Sequence, residues 1–183
     1  MVFLTVRSLV LGAALLGMAA PLAAQRPEAE DALKAAYLYN FTKFIDWPES
    51  AFVGTTAPFT VCVFADDRFR REVQAALHDE KVRGRPIELA PATTDDLKLC
   101  HLAYFNAAEA ERHSKRLPEL RMAPVLTVGE GLRFLEQGGL VAFVIEQDRV
   151  RFSVSRRAAD AAGLNVSSKL LRVARPYDGV PAP

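Results

Sequence analysis

The chain has 183 residues, of which half are apolar and a quarter are charged. This composition fits one compact domain with a sizeable core. Lysine and arginine total 23 and aspartate and glutamate total 22, so the formal net charge is +1. The balance gives no bulk electrostatic reason to expect binding to nucleic acid.

The first 24 residues have the pattern of a secretory signal peptide. Arg7 supplies the positive charge, residues 9–20 (LVLGAALLGMAA) form a short apolar segment, and small residues precede a cleavage point after Ala24. The alternative is a transmembrane anchor, for which this apolar run is too short. We expect residues 1–24 to be removed on export, leaving a mature protein that is not inserted in the membrane.

A segment rich in aromatic residues opens the mature chain. Residues 35–50, AAYLYNFTKFIDWPES, hold five of the sixteen aromatic residues of the chain. Asp31 can cap a helix that begins at Ala32, and Pro48 ends it because the residue before a proline disfavours the helical conformation. We therefore predict one helix between these two residues.

The aromatic residues of this helix follow its period. Aromatic side chains at helical spacing are usually part of a core. The apolar stripe is wide, however, and an exposed aromatic edge is a common device for contacting another protein. We expect Tyr39 and Trp47 to lie on such an exposed edge. The residues expected to face the sheet are Leu33, Tyr37, Phe41 and Phe44.

Strands and helices alternate through the rest of the chain. Aromatic and β-branched content predicts the strands, and acidic caps, glycines and prolines mark the helix ends. The predicted strands are 59–65, 87–90, 100–105 and 123–128. The predicted helices are 66 or 67 to 77, 94–99, 108–117, 156–162 and 167 or 168 to 174, and residues 129–137 are predicted to be a loop and a short helix.

Residues 140–155, LVAFVIEQDRVRFSVS, predict a β-hairpin with its turn at Gln147-Asp148. In its second arm, apolar residues alternate with polar residues, which include Arg149 and Arg151. The order of elements predicts an α/β fold, namely a single three-layer domain over residues 25–175. Its mixed β-sheet is flanked by helices and followed by the C-terminal hairpin and short helices. Residues 176–183 are expected to be a disordered tail.

The sequence offers little evidence for catalysis or a cofactor. The GEGLRF stretch after a predicted strand lacks the rest of a phosphate-binding loop, and no serine nucleophile elbow or Cys-x-x-Cys pair occurs. Cys100 and His101 could bind a metal with His78 or His113, but these residues lack the local spacing of a metal site. We expect no enzyme activity, no cofactor and no metal.

Two cysteines, Cys62 and Cys100, lie in the mature chain. Two cysteines in an exported protein suggest one disulfide. The alternative is a pair of unpaired, buried thiols. A disulfide would close a loop of roughly 39 residues, to which the chain-entropy model assigns a stabilisation of about 4 kcal/mol.

Arg149 and Arg151 form a basic stripe on the second arm of the hairpin, followed by Arg156 and Arg157. One interpretation is a solvated face of the sheet. The other is a surface that docks an acidic partner or an anionic ligand. Together with Tyr39 and Trp47, the two stripe arginines are the candidate partner-binding residues.

Five motifs occur in order between Leu33 and Ala174: LKAAYLYNFTKFIDWP, FTVCVFADDRF, CHLAYF, LTVGEGLRFLEQGG and VRFSVSRRAADAAGLNVSSKLLRVA. Together they resemble the YfiR family of bacterial periplasmic proteins over nearly the whole mature chain. The resemblance implies a small periplasmic α/β protein with a mixed sheet, and it implies a homodimer.

The resemblance also implies a function and a partner. The best-known member binds the periplasmic domain of the inner-membrane diguanylate cyclase YfiN and represses it, which lowers cyclic di-GMP and biofilm formation. We therefore expect a negative regulator whose partner is the periplasmic domain of a diguanylate cyclase or another sensor. The alternatives are a small-ligand or cell-wall binding module without a cyclase partner, and an enzyme.

The cysteines can be compared with those of the family. Cys62 and Cys100 match the pair that forms the family's sheet-linked disulfide. The best-known member has a second pair in the stretch that here reads GGLVAFVIEQDRVRF, which contains no cysteine. This difference argues against an identical redox switch. A stabilisation of about 4 kcal/mol is a large fraction of the stability of a small domain, and it favours a structural role for the disulfide.

Overall fold

The computed structural model of the protein describes residues 25–91, 94–177 and 179. The predicted signal peptide and most of the predicted disordered tail lie outside these residues. The described helices are α1 (Gln25–Thr42), α2 (Asp67–Leu77), α3 (Ala107–His113), α4 (Leu132–Glu136), α5 (Arg156–Ala161) and α6 (Ser168–Val173). The strands are β1 (Ile45–Asp46), β2 (Phe59–Phe64), β3 (Lys81–Val82), β4 (Arg85–Leu89), β5 (Leu102–Phe105), β6 (Leu126–Glu130), β7 (Val141–Glu146), β8 (Arg149–Val154) and β9 (Asn165–Val166).

Seven of the strands form one mixed sheet in the order β3-β4-β2-β5-β6-β7-β8. The five central strands are parallel, and the antiparallel strands β3 and β8 lie at the two ends. The predicted hairpin is confirmed: Gln147 and Asp148 have φ values of 50° and 58°, as a two-residue turn between β7 and β8 requires. The predicted mixed sheet is therefore confirmed, and β8 is its outer strand.

Helices cover both faces of the sheet, as the three-layer prediction requires. Along β2, Val61 and Val63 belong to one apolar core while Cys62 and Phe64 belong to the other. This alternation follows from the two-residue period of a strand. Helices α1, α2, α5 and α6 contribute to the first core, and α3 and α4 contribute to the second. Among the described residues, no helix combines the length and apolar character needed to cross a bilayer.

The boundaries predicted for the first helix were wrong. Helix α1 begins at Gln25, seven residues before Ala32, and ends at Thr42. Proline at position 27 is compatible with this start, since first-turn N–H groups have no acceptor within a helix. Asp31 is not a cap but pairs with Arg68 at 2.7 Å. After the helix, β1 pairs with β9 in a separate two-stranded sheet.

The buried side of α1 is rotated from the predicted one. Phe41 is fully buried and Tyr37 is half-buried, as predicted, but Leu33 is 44% exposed and Phe44 is 36% exposed. The prediction was wrong for the latter two residues. The positions that face the core most closely are Lys34, Ala35, Leu38, Phe41 and Ile45.

Lys34 occupies a core-facing position because two carboxylates satisfy its charge. Its Nζ lies 2.7 Å from Glu30 and 2.9 Å from Glu130, at the end of β6. Burial alone would lower the pKa of Lys34. The hydrogen bonds to both glutamates have the larger combined effect, so the pKa of Lys34 is raised above its usual value. Tyr104 donates to the same Glu130 oxygen at 2.5 Å. A charged residue therefore anchors α1 on the carboxyl end of the parallel strands.

The predicted disulfide joins Cys62 and Cys100 within the second core. Their Cα atoms are 5.8 Å apart and the residues are separated by 38 positions. Only 1% of Cys62 and 2% of Cys100 is exposed. The bond is therefore enclosed by packed side chains, and it ties β2 to the segment that leads into β5.

Replacing both cysteines by serine is expected to lower the free energy of unfolding by about 4 kcal/mol, because the unfolded chain regains the entropy of the open loop. Urea unfolding followed by the fluorescence of the single tryptophan, Trp47, measures this change. The matched comparison is the wild type in the oxidised state. A loss below about 1 kcal/mol would contradict a structural role for the bond.

Candidate functional site

The outer strand β8 presents two arginines to solvent. Its buried residues Val150 and Phe152 face α1, and the Phe152 ring lies 5.0 Å from the Phe41 ring. Because strand residues alternate between faces, Arg149 and Arg151 point to the opposite side, where both are exposed. The predicted alternation of this strand is thus confirmed, and packing against α1 determines where the arginines lie.

Three more arginines extend this surface along the edge of the sheet. Arg175 and Arg151 line a shallow cleft of about 440 Å³. Arg175 also lines a second cleft, of about 540 Å³, together with Arg156 and Arg157. All five side chains are exposed. We call this surface the basic edge: Arg149, Arg151, Arg156, Arg157 and Arg175.

The charge of the basic edge is largely uncompensated. Arg175 pairs with Glu146 at 2.7 Å. Within the described part of the chain, the other four arginines have no carboxylate within ion-pair distance. Residues 149–175 hold seven cationic side chains and one carboxylate, whereas the whole chain has a net charge of only +1. This concentration produces a local positive field that attracts acidic partners.

A shallow groove runs between the hairpin and the start of α1. It has a volume of about 470 Å³, and Arg149 and Arg151 of the basic edge line it together with Glu30 and Asp148. The apolar contributions include Leu33, which is 44% exposed, and Ile145, which is 52% exposed. Exposed aliphatic residues next to arginines are a combination that suits a protein-binding surface.

Trp47 does not contribute to this surface, and the prediction that it lies on an exposed edge was wrong. It is only 5% exposed. Its Nε1 donates to the backbone carbonyl of His101 at 3.1 Å, and its ring packs edge-on against Phe59 at 4.8 Å. Trp47 is therefore a core residue at the amino end of the central strands.

Tyr39 is half-buried and lies apart from the arginines. Its hydroxyl donates to Glu80, which precedes β3, and Lys43 Nζ lies 4.0 Å from its ring centroid. Strands β3 and β8 are at opposite ends of the sheet. The four candidate partner-binding residues thus do not form one site: Arg149 and Arg151 lie together, and the two aromatic residues lie elsewhere.

Three residues of this surface were not predicted from the sequence: Arg175 and the two exposed aliphatic residues, Leu33 and Ile145. A count of charges in a sliding window would have shown the excess of arginine in residues 149–175. The participation of Arg175 depends on tertiary structure, since its backbone N–H donates to the Phe152 carbonyl at 2.8 Å. No local pattern in the sequence reports that contact.

Two of the candidate metal ligands, Cys100 and His101, have other roles. Cys100 is in the disulfide. His101 Nδ1 accepts from the backbone N–H of Thr60 at 2.9 Å, and its Nε2–H donates to the Ala51 carbonyl at 3.0 Å. Among the described residues, no group of three or more histidine, cysteine, aspartate or glutamate side chains is placed to hold a metal ion.

Gly129 of the GEGLRF stretch and Gly139, which follows α4, are explained by packing, and Gly131 has a φ of 76°, which favours glycine. A Cβ atom on Gly129 would lie 2.5 Å from the Phe134 ring, and one on Gly139 would lie 2.2 Å from it. Both glycines make room for a buried phenylalanine of α4. Their positions are explained by this packing, without a bound phosphate.

The comparison with known families agrees with this architecture. The family described as YfiR/HmsC-like matches residues 31–175, and the chain belongs to this family. The match confirms the resemblance carried by the five sequence motifs. The family is periplasmic and regulatory rather than catalytic. No curated protein matches the chain.

The buried imidazole of His101 generates a prediction about pH. Burial lowers the pKa of His101, and the nearby Arg85 guanidinium lowers it further, although the hydrogen bond to Ala51 opposes the shift. In the unfolded chain the imidazole of His101 has a pKa near 6.5, whereas in the folded chain its pKa is lower. The contribution of His101 to stability is therefore complete above about pH 6.5 and declines as the pH falls towards the folded pKa.

Urea unfolding of wild type and His101→Gln at pH 7.5 and pH 5.0 measures this contribution. The wild type is expected to lose more stability between the two pH values than the variant does. His78→Gln is the matched control, because it makes the same substitution at a side chain that is 75% exposed. Identical pH dependence in wild type and His101→Gln would refute the assignment.

Proposed function

We propose that this YfiR/HmsC-like protein binds the periplasmic domain of an inner-membrane diguanylate cyclase, or of a related sensor, and holds it in the inactive state. The observation that supports the proposal is the basic edge, a set of exposed arginines of which four have no ion-pair partner within the described residues. Unpaired arginines on a rigid strand suit the recognition of an acidic protein surface.

Repression requires a difference in affinity between two states of the sensor. A ligand that binds both states equally shifts no equilibrium, however tightly it binds. Moving the sensor from nearly all active to nearly all inactive needs about 5.5 kcal/mol of preference for the inactive state. The basic edge supplies this preference when acidic groups of the sensor come together only in its inactive conformation.

The scaffold suits such a role because its binding groups need little ordering. Arg149 and Arg151 lie on a strand whose opposite face is buried, and the disulfide stabilises the same sheet. Binding groups held on rigid elements lose less conformational entropy on association. The mature protein therefore acts as a preformed surface, and the cyclase is the component that changes conformation.

Reversing the charge of the basic edge tests this proposal. The double variant Arg149→Glu/Arg151→Glu is expected to weaken binding to the sensor's periplasmic domain at least tenfold, or about 1.4 kcal/mol. The physical reason is that attraction to acidic groups becomes repulsion. Calorimetry or surface plasmon resonance at two salt concentrations measures the affinity, and wild-type binding should weaken as salt increases.

Arg71→Glu/Lys81→Glu is the matched control. These exposed residues lie on α2 and β3, away from β8, and the substitution changes the net charge equally. The control should bind as the wild type does. Equal losses in both variants would attribute the effect to net charge alone and would contradict the proposal. Absence of wild-type binding would favour the small-ligand or cell-wall binding module instead.

A further inference from the structure

The outer edge of β8 carries backbone groups that the sheet leaves open. In an antiparallel pair, the N–H and C=O groups of alternate residues face the neighbouring strand, and those of the others face away. The Ser155 N–H donates to the Leu140 carbonyl at 2.8 Å, whereas the Phe152 carbonyl accepts from Arg175. Phe152 and Val150 therefore direct their backbone groups away from β7.

Only part of this edge is covered. Arg175 forms a parallel β-bridge with Ser153, and its backbone N–H donates to the Phe152 carbonyl. Within the described residues, no backbone group pairs with the outward N–H and C=O of Val150 or with the outward N–H of Phe152. The first half of β8 thus offers two donors and one acceptor in the spacing of a strand.

The side chains beside this open edge are both charged and apolar. Arg149 and Arg151 lie about 7 Å apart along the strand. They line the groove of about 470 Å³ together with the exposed Leu33 and Ile145 and with Glu30, which pairs with Lys34. A strand added at this edge would therefore meet positive charge and aliphatic surface along the same groove.

We infer that the first half of β8 binds an extended segment of the sensor's periplasmic domain as an additional strand of the sheet. The segment carries acidic residues, which pair with Arg149 and Arg151, and apolar residues, which contact Leu33 and Ile145 in the groove. Main-chain hydrogen bonds supply affinity in this mode of recognition, and side chains at alternate positions supply specificity. The inference rests on the proposed function and specifies how the partner is held.

The same arginines disfavour the other occupant of an open edge, a second copy of the chain. Antiparallel pairing of two β8 strands about a two-fold axis would bring Arg149 and Arg151 of both copies together. Like charges opposite each other on paired strands are destabilising, and charged residues on edge strands prevent self-association in many proteins. The positive charge of Arg149 and Arg151 therefore favours an acidic segment over a second copy of the chain at this edge.

Amide hydrogen exchange of the mature, oxidised protein, followed by NMR with and without the sensor's periplasmic domain, tests the inference. In the free protein, the amides of Val150 and Phe152 should exchange rapidly. The amides of Arg151 and Ser153, which face β7, should exchange slowly. On binding, exchange at Val150 and Phe152 should slow at least about tenfold, as hydrogen-bonded amides do.

The outcomes separate this inference from the proposed function. Binding without slower exchange at Val150 and Phe152 would overturn strand addition and leave the proposed function standing. Absence of binding would overturn both. Slower exchange that depends on the protein's own concentration, without the sensor, would identify a second copy as the occupant and overturn the assigned partner.

A proline substitution gives an independent test. Val150→Pro removes the outward N–H, and edge strands tolerate proline where the N–H faces solvent. Val150→Ala is the matched control, since it also truncates a buried side chain but keeps the donor. Binding by the proline variant should be at least tenfold weaker than binding by the alanine variant. Equal affinities, in two variants shown to be folded by Trp47 fluorescence, would contradict strand addition.

Discussion

The packing of α1 on the β7–β8 hairpin is the contact on which the rest of the structure depends. Phe41 lies 5.8 Å from Phe143 and 5.0 Å from Phe152, so one helix side chain contacts both strands of the hairpin. Lys34 fixes the same helix to the sheet through Glu130. Once Phe152 is buried beneath the helix, the alternation of β8 directs Arg149 and Arg151 to solvent. The two faces of β8 thus have different roles: one packs against α1 in the core, and the other presents Arg149 and Arg151 of the basic edge.

The distribution of charge gives this geometry its functional meaning. A protein with a net charge near zero would have no directional field if its charges were evenly mixed. Here β8, helices α5 and α6 and Arg175 hold an excess of six positive charges, and the rest of the chain is acidic overall. Such asymmetry orients the protein as it approaches an acidic partner and increases the association rate. The buried disulfide, in contrast, lies away from solvent in the second core and supports the platform.

Local patterns in the sequence identified the parts of the fold that depend on neighbouring residues. The hairpin turn, the alternation of β8 and the cap of α2 by Asp66 follow from contacts within a few positions. Trp47 was misplaced because its hydrogen-bond acceptor, His101, is 54 residues away. Leu33 was misplaced because the buried Lys34 looks polar, and its charge is satisfied by a glutamate 96 residues away. Long-range polar contacts therefore account for the main errors, including the failure to recognise Arg175 as part of the site.

The activity of the sensor itself gives the most direct test of the account. The measurement is cyclic di-GMP synthesis by the full-length sensor cyclase in lipid nanodiscs, with increasing concentrations of the mature protein added to the solution. Synthesis is expected to fall saturably with wild type, and to need higher concentrations for the same fall when Arg149 and Arg151 are reversed to glutamate. Synthesis that stays unchanged, although the protein is bound, would contradict the claim that binding selects the inactive state.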